Sequence, residues 1–210
     1  AYNEDNRKKS LLLKSKVAEV EIEGHYSFSK LIPTLKHIVE RTFTENTAFR
    51  MESFSTEEFS FAARIYEPGV LTQFIHPDFK LIRNSKIQGT VSSRLSQISL
   101  NGFIPELQWG KMNIQRTTIL SGIIGKELDT YLNCDNIYVG DSLMVDSLQI
   151  EAHNEINGFL LKVFALDKHH KNKMNLTADL FPQSNSLKMQ MRPSEVWLSD
   201  KLWQFSPNNE

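Results

Sequence analysis

The segment from Asn136 to Leu166 constrains the fold more than any other part of the chain. Apolar and polar residues alternate along Met144 to Ala152, which is the period of a strand with one face buried. Asn157-Gly158 supplies residues that accept a positive φ, as a tight turn requires. The pattern predicts a hairpin with Asn136 to His153 as one arm, a turn around Asn154 to Gly158, and Phe159 to Leu166 as the other. Val17 to Glu23 repeats the rule: Ala18, Val20 and Ile22 face one way, and Glu19, Glu21 and Glu23 the other.

The same reading places strands at Ala48 to Phe54, Glu58 to Tyr66, Val70 to Ile75, Phe79 to Arg83 and Met112 to Leu120. A longer strand is predicted from Lys86 to Leu100, with a β-bulge where its phase slips between Leu95 and Ile98, closed by Asn101-Gly102. One stretch has the helical period instead. Phe28, Leu31, Ile32, Leu35, Ile38, Val39 and Phe43 form a single stripe, with Ser27 or Ser29 as cap and Pro33 acceptable near the first turn. A second, short helix is predicted around Ile123, Ile124, Leu128, Tyr131 and Leu132. A third is predicted over Pro193 to Phe205, with Trp197, Leu198, Leu202 and Phe205 inward. These elements sum to an α+β class: a mainly antiparallel sheet, with barrel-like closure as one form open to it, one amphipathic helix across it and one or two shorter helices. Residues 1–15 read as a mobile polar tail and 16–210 as a single globular domain.

Composition narrows the function classes. The chain has 210 residues, 40% of them hydrophobic, enough to bury a core. A formal net charge of -1 does not indicate nucleic acid as a partner. The single cysteine, Cys134, can form no internal disulfide, which favours an intracellular setting. No apolar run is long enough to span a membrane as a helix. Neither glycine-rich phosphate-loop pattern occurs, and no cofactor is expected.

Three motifs carry chemistry. Gly140-Asp141-Ser142-Leu143, with Asp167-Lys168-His169-His170 as an Asp-x-x-His block, resembles the GDSL hydrolases. That resemblance implies Ser142 as nucleophile, His170 as base and Asp167 as its orienter. The Gly-x-Asn-Asp block of that family is absent, and strand alternation follows Ser142 where a helix should, so the motif reads as the start of a strand. Glu19-Val20-Glu21 resembles the first strand of the triphosphate tunnel metalloenzymes. It implies a metal site at Glu19 and Glu21 and a polyphosphate met by Arg50, Arg64, Arg83, Arg94 and Lys111. The lysine that should complete that motif is missing: Glu23 or Gly24 stands where it falls. Finally, Lys168, His169, His170, Lys171 and Lys173 make the densest basic cluster, which reads as a solvated loop.

With no catalytic constellation complete, the expectation is a non-enzymatic binding or assembly domain. It would work through a protein partner or self-association, with Trp197, Trp203, Lys168, Lys171 and Lys173 as contact residues. The alternatives are the metal-dependent triphosphate hydrolase and a small-molecule-binding regulatory domain.

Overall fold

The computed structural model describes residues 8–43, 57–66, 78–81, 84–155, 158–167, 172–182, 187–198 and 201–205. Among them one helix stands against sixteen strands of a single sheet. The first third holds β1 (Lys9–Lys14), β2 (Ala18–His25), α1 (Phe28–Phe43), β3 (Glu58–Ile65), β4 (Phe79–Leu81) and β5 (Ser85–Ser92). The centre holds β6 (Gln97–Trp109), β7 (Met112–Ile124), β8 (Glu127–Cys134), β9 (Asn136–Val139) and β10 (Ser142–Val145). The last third holds β11 (Ser147–Glu155), β12 (Gly158–Leu166), β13 (Asn172–Pro182), β14 (Leu187–Met191), β15 (Ser194–Leu198) and β16 (Lys201–Phe205).

Every pairing is antiparallel, and most join strands adjacent in sequence. Twelve strands follow one another from β1 to β16 without returning to the start. At about 4.8 Å per strand the path is roughly 50 Å long. The sheet is open, so the barrel-like closure allowed by the sequence does not occur.

The α+β expectation is overturned: the chain is a mainly antiparallel sheet with one helix. Ile123, Ile124, Leu128, Tyr131 and Leu132, expected as a helix, lie on β7 and β8 around a two-residue turn at Gly125 and Lys126. Their spacing fits both a helical stripe and a hairpin, and Gly125 at φ +64° favours the turn. The expected helix over Pro193 to Phe205 is the β15–β16 hairpin. The predicted bulge in Lys86 to Leu100 is instead a turn, Ser93 to Ser96, between β5 and β6, with Ser96 at φ +48°. Asn101-Gly102 closes nothing, since both residues pair inside β6. The first arm of the predicted Asn136 to His153 hairpin is three strands, β9, β10 and β11. Part of the expected tail, Lys9–Lys14, is β1. The strand readings at Ala48 to Phe54 and Val70 to Ile75 lie outside the described residues.

The helical stripe does form α1. The first turn of α1 carries no acidic residue; at its start, Glu57 accepts a 2.7 Å hydrogen bond from the Ser27 N–H. Negative charge there suits the positive end of the helix dipole. Pro33 sits in the second turn, past the position expected for it, and its nitrogen can donate no helical hydrogen bond. Ile38 is buried in one cluster with Tyr26, Phe59, Val91, Ile123, Leu128 and Phe159, and Leu31 and Leu35 pack against it. The helix is therefore the cover of this end of the sheet.

Candidate binding face

Antiparallel register places directly paired residues on the same face. Following the pairs across the sheet gives three rows of side chains on one side. The first runs Gly24, Phe59, Val91, Ile98, Ile123, Leu128, then Asn154, Phe159, Leu180 and Met189. Asn154 joins Leu128 by accepting from its N–H, and donates to the Lys126 carbonyl at 2.9 Å. The second row runs Leu11, Ile22, Phe61, Gly89, Leu100, Ser121, Thr130, Ala152, Leu161, Ala178 and Met191. Its two hydroxyls, Ser121 and Thr130, bond each other at 2.7 Å. The third row runs Leu13, Val20, Ala63, Ile87, Gly102, Ile119, Leu132, Ile150, Val163 and Leu176.

The rows differ in depth. Phe59, Val91, Ile123, Leu128 and Phe159 of the first row are buried under α1 and Tyr26. The third row has no polar member, yet apart from Gly102 every residue in it is at least partly exposed. Ile, Val and Leu are among the residues most often fully buried. Eight of them, with Ala63 and Gly102, stand in one line in which Leu13 is exposed, Gly102 buried and the rest half-buried. Rows two and three span roughly 40 by 14 Å from strand spacing and rise. Leu11, Ile22, Phe61 and Ala152 of the second row pack against the core cluster, which leaves the third row, Gly102 apart, at least partly exposed beyond it.

The other face is mostly polar, with Leu12, Phe103 and Leu120 exposed on it. Glu19 lies opposite Arg64, Glu151 opposite Lys162, and His153 opposite Asp129. Glu21, Glu23, Ser60, Gln88, Thr90, Ser99 and Asn101 line an open concavity of about 450 Å³ on it. The glutamates of the tunnel resemblance are thus neighbours on a solvated face. The Tyr66 hydroxyl donates to Glu19 at 2.9 Å and Lys14 pairs with it at 3.2 Å; both hold its carboxyl below the usual range. Glu23 pairs with Lys8. No group of three or more His, Cys, Asp or Glu among the described residues could hold a metal ion. Arg94 and Lys111 lie in separate turns, far along the chain from Arg64, and Arg50 and Arg83 lie outside the described residues.

No family model matches the chain, and no curated protein or solved structure matches it either. Function has to be argued from the geometry.

Of the GDSL letters, Gly140-Asp141 form a turn and Ser142-Leu143 open β10. Val139 pairs with Ser142 across Gly140-Asp141, and Gly140 takes φ +62°. Ser142 is exposed at the start of β10, Asp167 directly follows β12, and Lys168, His169, His170 and Lys171 lie outside the described residues. Lys173 is in β13 and donates to the Met144 carbonyl at 2.9 Å. Trp197 and Trp203 are on the last hairpin, 42% and 56% exposed, and point to opposite faces. Cys134 is buried, and burial together with Asp135 pushes its thiol up to about 11. Arg192 donates to both oxygens of Asp179 at 2.8 and 2.6 Å and pairs with Glu155 at 3.3 Å. The Asp179 carboxyl is held low by that contact. Among the described residues no helix is long and apolar enough to cross a membrane.

The residues that sequence reasoning missed are those of the third row. Each was visible as the apolar half of a local alternation; that all ten share one line was not.

Proposed function

We propose that this chain is a binding domain whose working surface is the apolar face, and that its ligands are extended hydrocarbon chains of lipids. The observation that carries the reading is the third row, apolar throughout and, Gly102 apart, at least partly exposed from Leu13 to Leu176. A protein partner on such a surface would be held in register by hydrogen bonds, about one per 100–200 Å² in known interfaces. The row offers no side-chain donor or acceptor, which favours a ligand that needs none. Its length of roughly 40 Å exceeds one acyl chain, since two opposed chains span a bilayer core of about 30 Å. Apolar contact without directional bonds permits sliding, so the domain suits holding or passing lipids rather than transforming them.

Alternation within one strand supplies the test. A photoreactive benzophenone side chain at Ile150 or Val163 faces the row, and one at Gln149 or Lys162 faces the polar side. After incubation with phosphatidylethanolamine–phosphatidylglycerol vesicles and irradiation, lipid adducts are expected at the first pair and not the second. Equal labelling from both faces, or none from either, would sink the reading.

A second reading keeps contacts with a protein partner, through Trp197 and Trp203. The exposure of both on the terminal hairpin supports it.

A further inference from the structure

The two ends of the sheet are unfinished in a way that fits them to each other. Among the described residues β1 pairs only with β2, and β16 only with β15. Each therefore presents one side of its backbone unpaired, a template for another strand. Each is also apolar on both faces: Leu12 and Leu13 are 53% and 55% exposed, and Leu202 and Trp203 40% and 56%. We propose that β16 of one molecule adds antiparallel to β1 of a second copy, making a head-to-tail assembly.

Two features point to a second copy. The path from β1 to β16 contains twelve strands, all antiparallel. An even number makes β1 and β16 run in opposite directions. A copy placed alongside in the same orientation therefore meets the edge with the antiparallel sense that every other pair uses. The faces also agree. Leu11 and Leu13 lie on the apolar face, and so do Trp203 and Phe205, through Val196 and Met174. A register pairing Leu11 with Phe205 and Leu13 with Trp203 continues the apolar face from one molecule into the next. With an odd strand count the sense would be parallel.

The contact is small. Large side chains carry about 200 Å² each, so the exposed parts of the edge residues offer roughly 600 Å² in all. Stable complexes bury about 1,200–2,000 Å². Association is expected to be weak and visible only at high concentration. Lysines at the strand ends, Lys9, Lys14 and Lys201, are the kind of residue that restrains edges from indiscriminate pairing.

This inference names a partner for the second reading and is independent of what occupies the apolar face. Its test is sedimentation velocity from about 5 to 500 μM, a range set by that weak contact, on the wild type and two variants. Trp203→Lys blocks the β16 edge. Leu12→Pro blocks the β1 edge without removing a β1–β2 hydrogen bond. The Ser15 N–H bonds inward to Ala18, so by alternation the Leu12 N–H points outward. Far-UV circular dichroism checks that both variants keep the fold. Wild type should form a concentration-dependent series, each variant alone should stay monomeric, and an equimolar mixture should form a dimer and stop there. A wild type monomeric throughout would overturn the proposal, as would a mixture that forms no dimer, and so would a Leu12→Pro variant that still self-associates. A monomeric wild type whose β16 edge still binds an unrelated alternating peptide would overturn self-assembly while leaving the protein-contact reading standing.

Discussion

Leu128 and Leu132 lie on the same strand, face the same side of the sheet and are four residues apart. Only their row differs. Leu128 is 9% exposed in the covered first row, between Ile123 and Asn154. Leu132 is half-buried in the open third row, between Ile119 and Ile150. Leu128→Ala removes buried carbon and leaves a space that α1 and the sheet cannot close, so it should cost about 3 kcal/mol, within the 2–5 usual for buried Leu→Ala. Leu132→Ala removes the same atoms from a site already in contact with water. At ~0.8 kcal/mol per buried methylene, and with part of the group already exposed, the cost should be about 1.5 kcal/mol. Urea unfolding followed by circular dichroism reads the difference. With an m-value of about 2 kcal/mol/M, the midpoint should fall by ~1.5 M for Leu128→Ala and by ~0.8 M for Leu132→Ala. Equal falls would mean that the third row is as well covered as the first, and the open apolar face would be refuted.

Other consequences are as direct. A Cβ at Gly158 would stand 2.1 Å from the Leu180 carbonyl oxygen, whereas one at Gly122 has nothing nearer than 3.9 Å. Gly158→Ala should therefore cost ~3 kcal/mol or more by forcing β12 from β13, and Gly122→Ala well under 1 kcal/mol, both by thermal melt. Arg192 holds the Asp179 carboxyl below its ordinary 3.8, so its stabilisation is present above that pH and lost as pH falls further. Arg192→Gln should remove that part of the acid sensitivity, read as a flatter loss of melting temperature between about pH 4 and 2. With its thiol at about 11 and buried, Cys134 should react with a disulfide reagent at pH 8 only after denaturant is added. Prompt reaction in the native protein would contradict its placement.

The strand content was legible because alternation is a local property. Ala18, Val20 and Ile22 declare one face of β2 whatever else the chain does, and β11 and β12 do the same around Gly158. The helix α1 was legible for a like reason, since its stripe repeats over four turns. The errors came where two periods coincide. Ile123, Ile124, Leu128 and Leu132 satisfy a helical stripe and also two strands around Gly125, and only pairing with β6 and β11 separates the two. Trp197, Leu202 and Phe205 misled in the same way. Trp197 and Trp203, named as contact residues for their place in the C-terminal segment, sit on the exposed final hairpin, but on opposite faces.

By itself, then, the sequence determined the apolar face of strands such as β2, β11 and β12, and that β11 turns back into β12 before Gly158. It also determined that Gly140-Asp141 leads into a strand at Ser142 rather than a nucleophile loop. Tertiary structure alone decided that the strands form one open layer, that α1 covers the first row and leaves the third, and that β1 and β16 are the edges. The reason is physical: side-chain period is set by neighbours in the chain, whereas register, closure and cover are set by partners far along it.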